Sequence, residues 1–172
     1  MSAADGVTMR QRELQFPGCG ETRLSGQAWL PNRDPHAVVV ISHGLGEHGG
    51  RYRALAERLA ASSHLAVYAL DHRGHGRSQG PRANIDRFEY LVSDLGTFVG
   101  RAQREHPGAS VFLVGHSMGG LIALACALKY LGTLHGLVLS APALAAGQAI
   151  PPLKLAMVRL LSRFSPGRGV MS

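Results

Sequence analysis

The sequence predicts an α/β domain built on a mostly parallel sheet. Three observations carry that reading. Four short apolar runs lie at 37–42, 65–70, 111–115 and 136–140, helix-patterned segments fall between them, and glycine-rich loops follow three of the runs. Before the first run, residues 11–16 and 24–30 are β-like and separated by Pro-Gly-Cys-Gly-Glu-Thr, the pattern of an antiparallel hairpin. The run Ala-Val-Val-Val-Ile-Ser at 37–42 is continuously apolar and β-branched, as in a strand buried on both faces. Tyr52, Leu55, Ala56, Leu59 and Ala60 then recur at helical spacing, and 65–70 is a second buried strand. A long helix is expected over 85–105, where Phe88, Leu91, Val92, Leu95, Phe98, Val99 and Ala102 keep the 3.6-residue period until His-Pro-Gly at 106–108 ends it. A third buried strand at 111–115, a helix over 118–130 with Gly132 just beyond, and a fourth strand at 136–140 complete the alternation. Residues 150–164 are amphipathic, with Leu153, Met157, Leu160 and Leu161 on one side.

Composition excludes several classes. The chain has 172 residues, 45% hydrophobic and 17% charged, which suits one soluble domain with a real core and contains no internal repeat. The formal charge of +7 invites a nucleic-acid reading, but no dense Lys/Arg cluster with interleaved aromatics exists and only 6% of residues are aromatic. The charge reflects an absence instead: after Ser117 there is no Asp or Glu, while Lys129, Lys154, Arg159, Arg163 and Arg168 remain. Cys19 and Cys126 are too few for a disulfide scaffold. The N-terminus lacks an apolar signal core and the apolar stretch 120–128 is too short to span a bilayer, so the expected location is cytoplasmic.

The chemistry concentrates in three loops. Gly115-His116-Ser117-Met118-Gly119 fits G-x-S-x-G between an expected strand and an expected helix, the context that motif requires. The sharp reversal would expose the Ser117 hydroxyl at a helix N-terminus, and side chains at 115 or 119 would strike neighbouring backbone. The bland alternative is an N-cap serine in a Gly-rich turn. A phosphate-binding P-loop is excluded because no lysine follows these glycines. A serine hydrolase needs two N–H donors for its oxyanion: Met118 follows the serine, and His43-Gly44-Leu45-Gly46 occupies the early strand-to-helix loop where the second arises. The third loop is 71–82; with the second it holds His43, His48, His72 and His75. These lack metal-ligand spacing and read as loop histidines bonded to turns, so neither metal nor cofactor is expected.

In order, the motifs His-Gly-Leu-Gly-Glu-His, Asp-His-Arg-Gly-His-Gly-Arg-Ser-Gln-Gly-Pro-Arg and Gly-His-Ser-Met-Gly-Gly resemble the monoacylglycerol lipase and lysophospholipase branch of the α/β-hydrolase fold. The last motif is shared by many α/β-hydrolases; the combination is more specific. The resemblance runs from about Leu24 to about residue 160 and departs at Gln79, where an acidic residue is usual. It implies a hydrolase of single acyl esters, acting on monoacylglycerol or lysophospholipid. Ser117 would be the nucleophile, and the amides of Leu45 and Met118 would hold the oxyanion, with Gly44, Gly115 and Gly119 shaping the loops. It divides the chain into 1–144, the N-terminal part of the core, and 145–172, the start of a lid whose apolar face would meet acyl chains or a membrane surface.

The serine's partners are the difficulty. In this fold an acid and then a histidine follow the serine, yet after Ser117 the sequence holds no acid and one histidine, His135, at a strand start. Asp71 with His72 or His75 could substitute only in a rewired triad. The expectation is therefore a chain truncated within the lid, with the acid and the histidine beyond residue 172. Its rivals are an inactive chain that binds acyl lipids or a partner, and an esterase of non-lipid substrates.

Overall fold

The hairpin pattern near the N-terminus and the four apolar runs all become strands of one sheet. The computed structural model describes residues 9–85, 87–130, 132 and 134–144. In chain order the elements are β1 (Met9–Pro17), β2 (Arg23–Pro31), β3 (Ala37–Ser42), α1 (Arg53–Ser63), β4 (Leu65–Asp71), α2 (Phe88–Glu105), β5 (Ser110–His116), α3 (Met118–Lys129) and β6 (Gly136–Ser140). The six strands are ordered β1-β2-β4-β3-β5-β6. β1 and β2 pair antiparallel, β2 meets β4 antiparallel, and β4, β3, β5 and β6 run parallel.

Helices cover the two faces unequally. On one face α1 lays Ala56 and Ala60 over Trp29, Val39, Ile41, Val67 and Ala69. On the other, α2 and α3 bury Leu91, Leu95, Phe98 and Ile122 against Val38, Val40, Tyr68 and Leu113. Each such large side chain contributes about 1.5–3 kcal/mol by leaving water. β3 is buried along its whole length and β4 along nearly all of it, as their unbroken apolar runs require. β5 and β6 depart from that expectation. β5 alternates, with Val111, Leu113 and Gly115 buried and Phe112 and Val114 half-buried, while Val138 of β6 is 53% exposed. Leu137 and Leu139 of β6 pack on the α2/α3 side, but the opposite face lies outside the cover of α1.

Helix starts also shift for local reasons. Arg87 is extended at φ −143°, ψ 125°, so α2 begins at Phe88 rather than at 85. The glycines at 49 and 50 and Tyr52 form a 3₁₀ turn, Gly49–Tyr52, ahead of α1. Among the described residues no helix is long and apolar enough to cross a membrane. The amphipathic stretch 150–164 and the boundary at 145 lie outside the described residues.

Candidate active site

β3 and β5 are neighbours, with Ser42 opposite Gly115, so the loops leaving their C-terminal ends emerge side by side. That end of a parallel sheet is where α/β folds place ligands. Ser117 sits between β5 and α3 at φ 51°, ψ −120°, a conformation that costs a non-glycine residue about 1–3 kcal/mol. The turn is tied down by its backbone: Ser117 N–H donates to the Ser140 carbonyl at 3.0 Å. The Ser117 carbonyl accepts from Gly120, Leu121 and Ala143 at 3.0, 3.2 and 3.0 Å. Ser117 holds the N-cap position, yet its hydroxyl makes no capping bond, which removes the bland reading. The half-buried hydroxyl stands at the start of α3, where first-turn amides, Met118 among them, lack helical partners.

The glycines are dictated by crowding. A Cβ at Gly119 would lie 2.1 Å from the Ser42 carbonyl oxygen, and one at Gly115 would lie 2.5 Å from that of Gly119. A Cβ at Gly44 would be 3.4 Å from Cβ of Ser117, so the 43–46 loop and the elbow are in contact range. The structure thus brings Gly44, Gly115, Ser117, Met118 and Gly119 together, with Leu45 beside Gly44 on an exposed turn.

The 43–47 turn is closed by Glu47, a residue the sequence reading passed over. Its Oε2 accepts from Gly44 N–H at 3.2 Å and from the Tyr52 hydroxyl at 3.1 Å, and its Oε1 pairs with Arg51 at 3.2 Å. Burial pushes its carboxyl pKa up, but the Gly44 amide, Tyr52 and Arg51 outweigh that and hold it below the usual value. Burial, with the adjacent Glu47 charge, raises the Tyr52 phenol to about 12. The available signal was a glutamate three residues after a loop glycine and ahead of a helix, the spacing of a capping residue.

His43, His72 and His75 are hydrogen-bonded to loop backbone or to a neighbouring hydroxyl. His43 Nδ1 lies 2.7 Å from the Gly44 carbonyl, and its Nε2 accepts from the His72 amide at 3.0 Å. His72 Nε2 is 2.9 Å from Ser42 Oγ, and His75 Nδ1 is 3.0 Å from the Arg73 carbonyl. All three rings are buried, whereas His48 is exposed. Burial lowers the pKa of His43 to about 4 against the opposing pull of the Gly44 carbonyl, and burial depresses His72 as well.

Among the described residues Asp71, His116 and His135 are all engaged away from the Ser117 hydroxyl. Asp71 spends one carboxylate oxygen on Gly49 N–H at 2.7 Å and the other on Arg77 N–H at 2.9 Å, clamping the second and third loops. His116 turns to Ser140, its Nδ1 3.1 Å from the carbonyl and 3.2 Å from Oγ. His135 Nδ1 accepts from Val111 N–H at 3.0 Å, at the far end of β5 from Ser117, about 20 Å along the strand. Gln79, in the usual place of an acid, still accepts from Arg23 N–H at 3.1 Å.

A sheet with six strands in this order among the described residues, with a strained serine between a parallel strand and the helix after it, defines an α/β-hydrolase fold. The chain belongs to the Hydrolase_4 family, described as serine aminopeptidase, S33, whose model matches residues 33–172. It is similar to monoacylglycerol lipase of Mycolicibacterium smegmatis, 42% identical over 94% of this chain and 57% of that protein. It is also similar to human monoglyceride lipase, 40% identical over 80% of this chain and 46% of that one. A thermostable carboxyl esterase from Bacillus coagulans, solved with glycerol, superposes with a TM-score of 0.74 at 27% identity, covering 92% of this chain and 52% of that one. The chain spans about half the length of the curated relatives it matches.

Proposed function

We propose that the protein is a serine ester hydrolase of the monoacylglycerol lipase type, with Ser117 as its nucleophile. The observation that carries this is Ser117 itself, held at φ 51° with its hydroxyl making no capping bond and its Cβ 3.4 Å from where a side chain at Gly44 would begin. Ser117 Oγ attacks the carbonyl carbon of a single acyl ester. The amides of Leu45 and Met118 take the charge that develops on the carbonyl oxygen. A histidine takes the Ser117 hydroxyl proton as the Oγ–C bond forms and gives it to the glycerol oxygen as that C–O bond breaks, and water then releases the acid from the acyl-serine by the same proton route. The names of the relatives and the glycerol in the Bacillus coagulans complex support an acylglycerol substrate, and lysophospholipid is proposed beside it from the sequence resemblance alone. The family description concerns peptides, but the one carboxylate on the 43–52 loop, Glu47, is spent on Gly44, Tyr52 and Arg51 and offers no free anion to a substrate ammonium group.

The base and its acid are proposed to come from sequence outside these 172 residues: Asp71, His135 and His116 are bonded elsewhere, and the family order places both partners after the serine. Residues 150–164 are proposed as the start of a lid whose apolar side meets acyl chains or a membrane surface, on a cytoplasmic enzyme. The test compares this chain with one extended through an acid and a histidine. The 172-residue chain should hydrolyse activated short esters barely above background and resist a fluorophosphonate probe, since an unassisted hydroxyl is a poor nucleophile. The extended chain should be labelled at Ser117 and prefer monoacylglycerols, and Ser117→Ala should abolish both properties. Stoichiometric labelling of the short chain would mean a base is already present. An extended chain that binds lipid without turnover would overturn the enzymatic reading.

A further inference from the structure

Taking Ser117 as nucleophile, we propose that His43 is a positioning residue that aims the Leu45 N–H at the oxyanion. The argument starts from its tautomer. A carbonyl oxygen only accepts and a backbone N–H only donates, so Nδ1, bonded to the Gly44 carbonyl, carries the proton and Nε2, facing the His72 amide, carries the lone pair. His43 is therefore neutral and fixed in one tautomer, and complete burial keeps it so. The rings of His72 and His75 pack against it with centroids 4.6 and 5.3 Å away, so it has little room to turn.

The Gly44 carbonyl belongs to the same peptide unit as the Leu45 N–H. That unit is planar and trans, so the two groups point in opposite directions. Holding the oxygen against the ring fixes where the N–H points. Glu47 N–H donates to the same oxygen at 3.2 Å, and Glu47 Oε2 holds the preceding amide, so both sides of Gly44 are tied. The short bond at 2.7 Å also polarises the peptide and makes Leu45 N–H a stronger donor. Because His72 supplies the second anchor, the orientation of the 43–46 loop is set by the third loop, on the neighbouring strand. The titratable groups around His43 are Glu47 on its own loop and Asp71, His72 and His75 on the third. A second proton on Nε2 would point at the His72 amide and break the arrangement.

The test places His43→Ala and His43→Asn in the chain extended through an acid and a histidine, the latter variant keeping a donor near the Nδ1 position. His43→Ala should lower kcat about 100- to 1,000-fold with KM little changed, as for a lost oxyanion donor. His43→Asn should recover at least about tenfold of that loss and should remove any limb of the kcat profile that His43 contributes near pH 4, where burial places its titration. The Leu45 amide resonance should move in His43→Ala and return in His43→Asn. A His43→Ala variant with raised KM and unchanged kcat, or with lost stability alone, overturns the proposal. If neither variant folds, nitrogen NMR of the unaltered protein at neutral pH decides, since an Nε2–H or charged ring overturns it. Ser117→Ala separates the two levels. Retained activity there sinks the nucleophile, whereas an inactive Ser117→Ala beside a fully active His43→Ala sinks only His43.

Discussion

At the scale of single residues, the site is recognisable by what it costs. Ser117 occupies a backbone region that glycine enters freely, and its hydroxyl gains no capping bond in return. The turn persists because Ser140 and Ala143 hold its amide and carbonyl and because Gly119 lets α3 press onto the Ser42 carbonyl. A residue retained at such a cost is there for its side chain. Ser117→Gly should therefore stabilise the fold, by about 1 kcal/mol relative to Ser117→Ala, through relief of the positive φ. Urea melts of the two variants check this. Equal stability would mean the serine is unstrained.

At the scale of elements, β6 forms an apolar edge of the sheet. It is the last strand of the order among the described residues, and Val138, opposite Val114, is 53% exposed on the face that α1 leaves bare. Its other face is well packed, since Leu137 and Leu139 join the core under α3. An apolar edge of this kind recruits other chains. The 172-residue chain is expected to self-associate, and Val138→Lys should shift it toward monomer at a folding cost below about 1 kcal/mol, because half of that side chain is already in water. Sedimentation at rising concentration checks both, and a strictly monomeric parent chain would contradict them. The same element shows what an apolar run does and does not report. An apolar run reports what a strand could bury, not whether a helix arrives to cover it, and the cluster under α1 includes no residue of β6.

At the scale of the whole molecule, the elements and the elbow were legible because local rules set them: β-branched runs, a 3.6-residue period, and glycines where a Cβ would meet backbone. The ties between loops were not legible. Asp71 reaching Gly49, Asp94 reaching Arg73 and Cys19, and His43 reaching His72 join residues far apart in sequence, and no periodicity encodes them. The histidine tie has a consequence for the entire fold. Burial lowers His43 from 6.5 to about 4 and pushes His72 down as well, so between those pH values the unfolded chain binds protons that the folded chain refuses. Stability therefore rises with pH across that window: it is fully present above about pH 6.5 and is lost as pH falls toward 4. His43 alone accounts for about 2 kcal/mol lost by pH 5 and about 3 kcal/mol by pH 4, and His72 adds to it in the same direction. Glu47 and Glu105, held below their usual values, withdraw their contributions only at still lower pH, so the histidines should act first. Denaturation midpoints should fall from pH 7 to pH 5, and His43→Asn, which binds no proton, should flatten that slope. A parent protein equally stable at both pH values would mean that its buried histidines accept protons without breaking the loops they join.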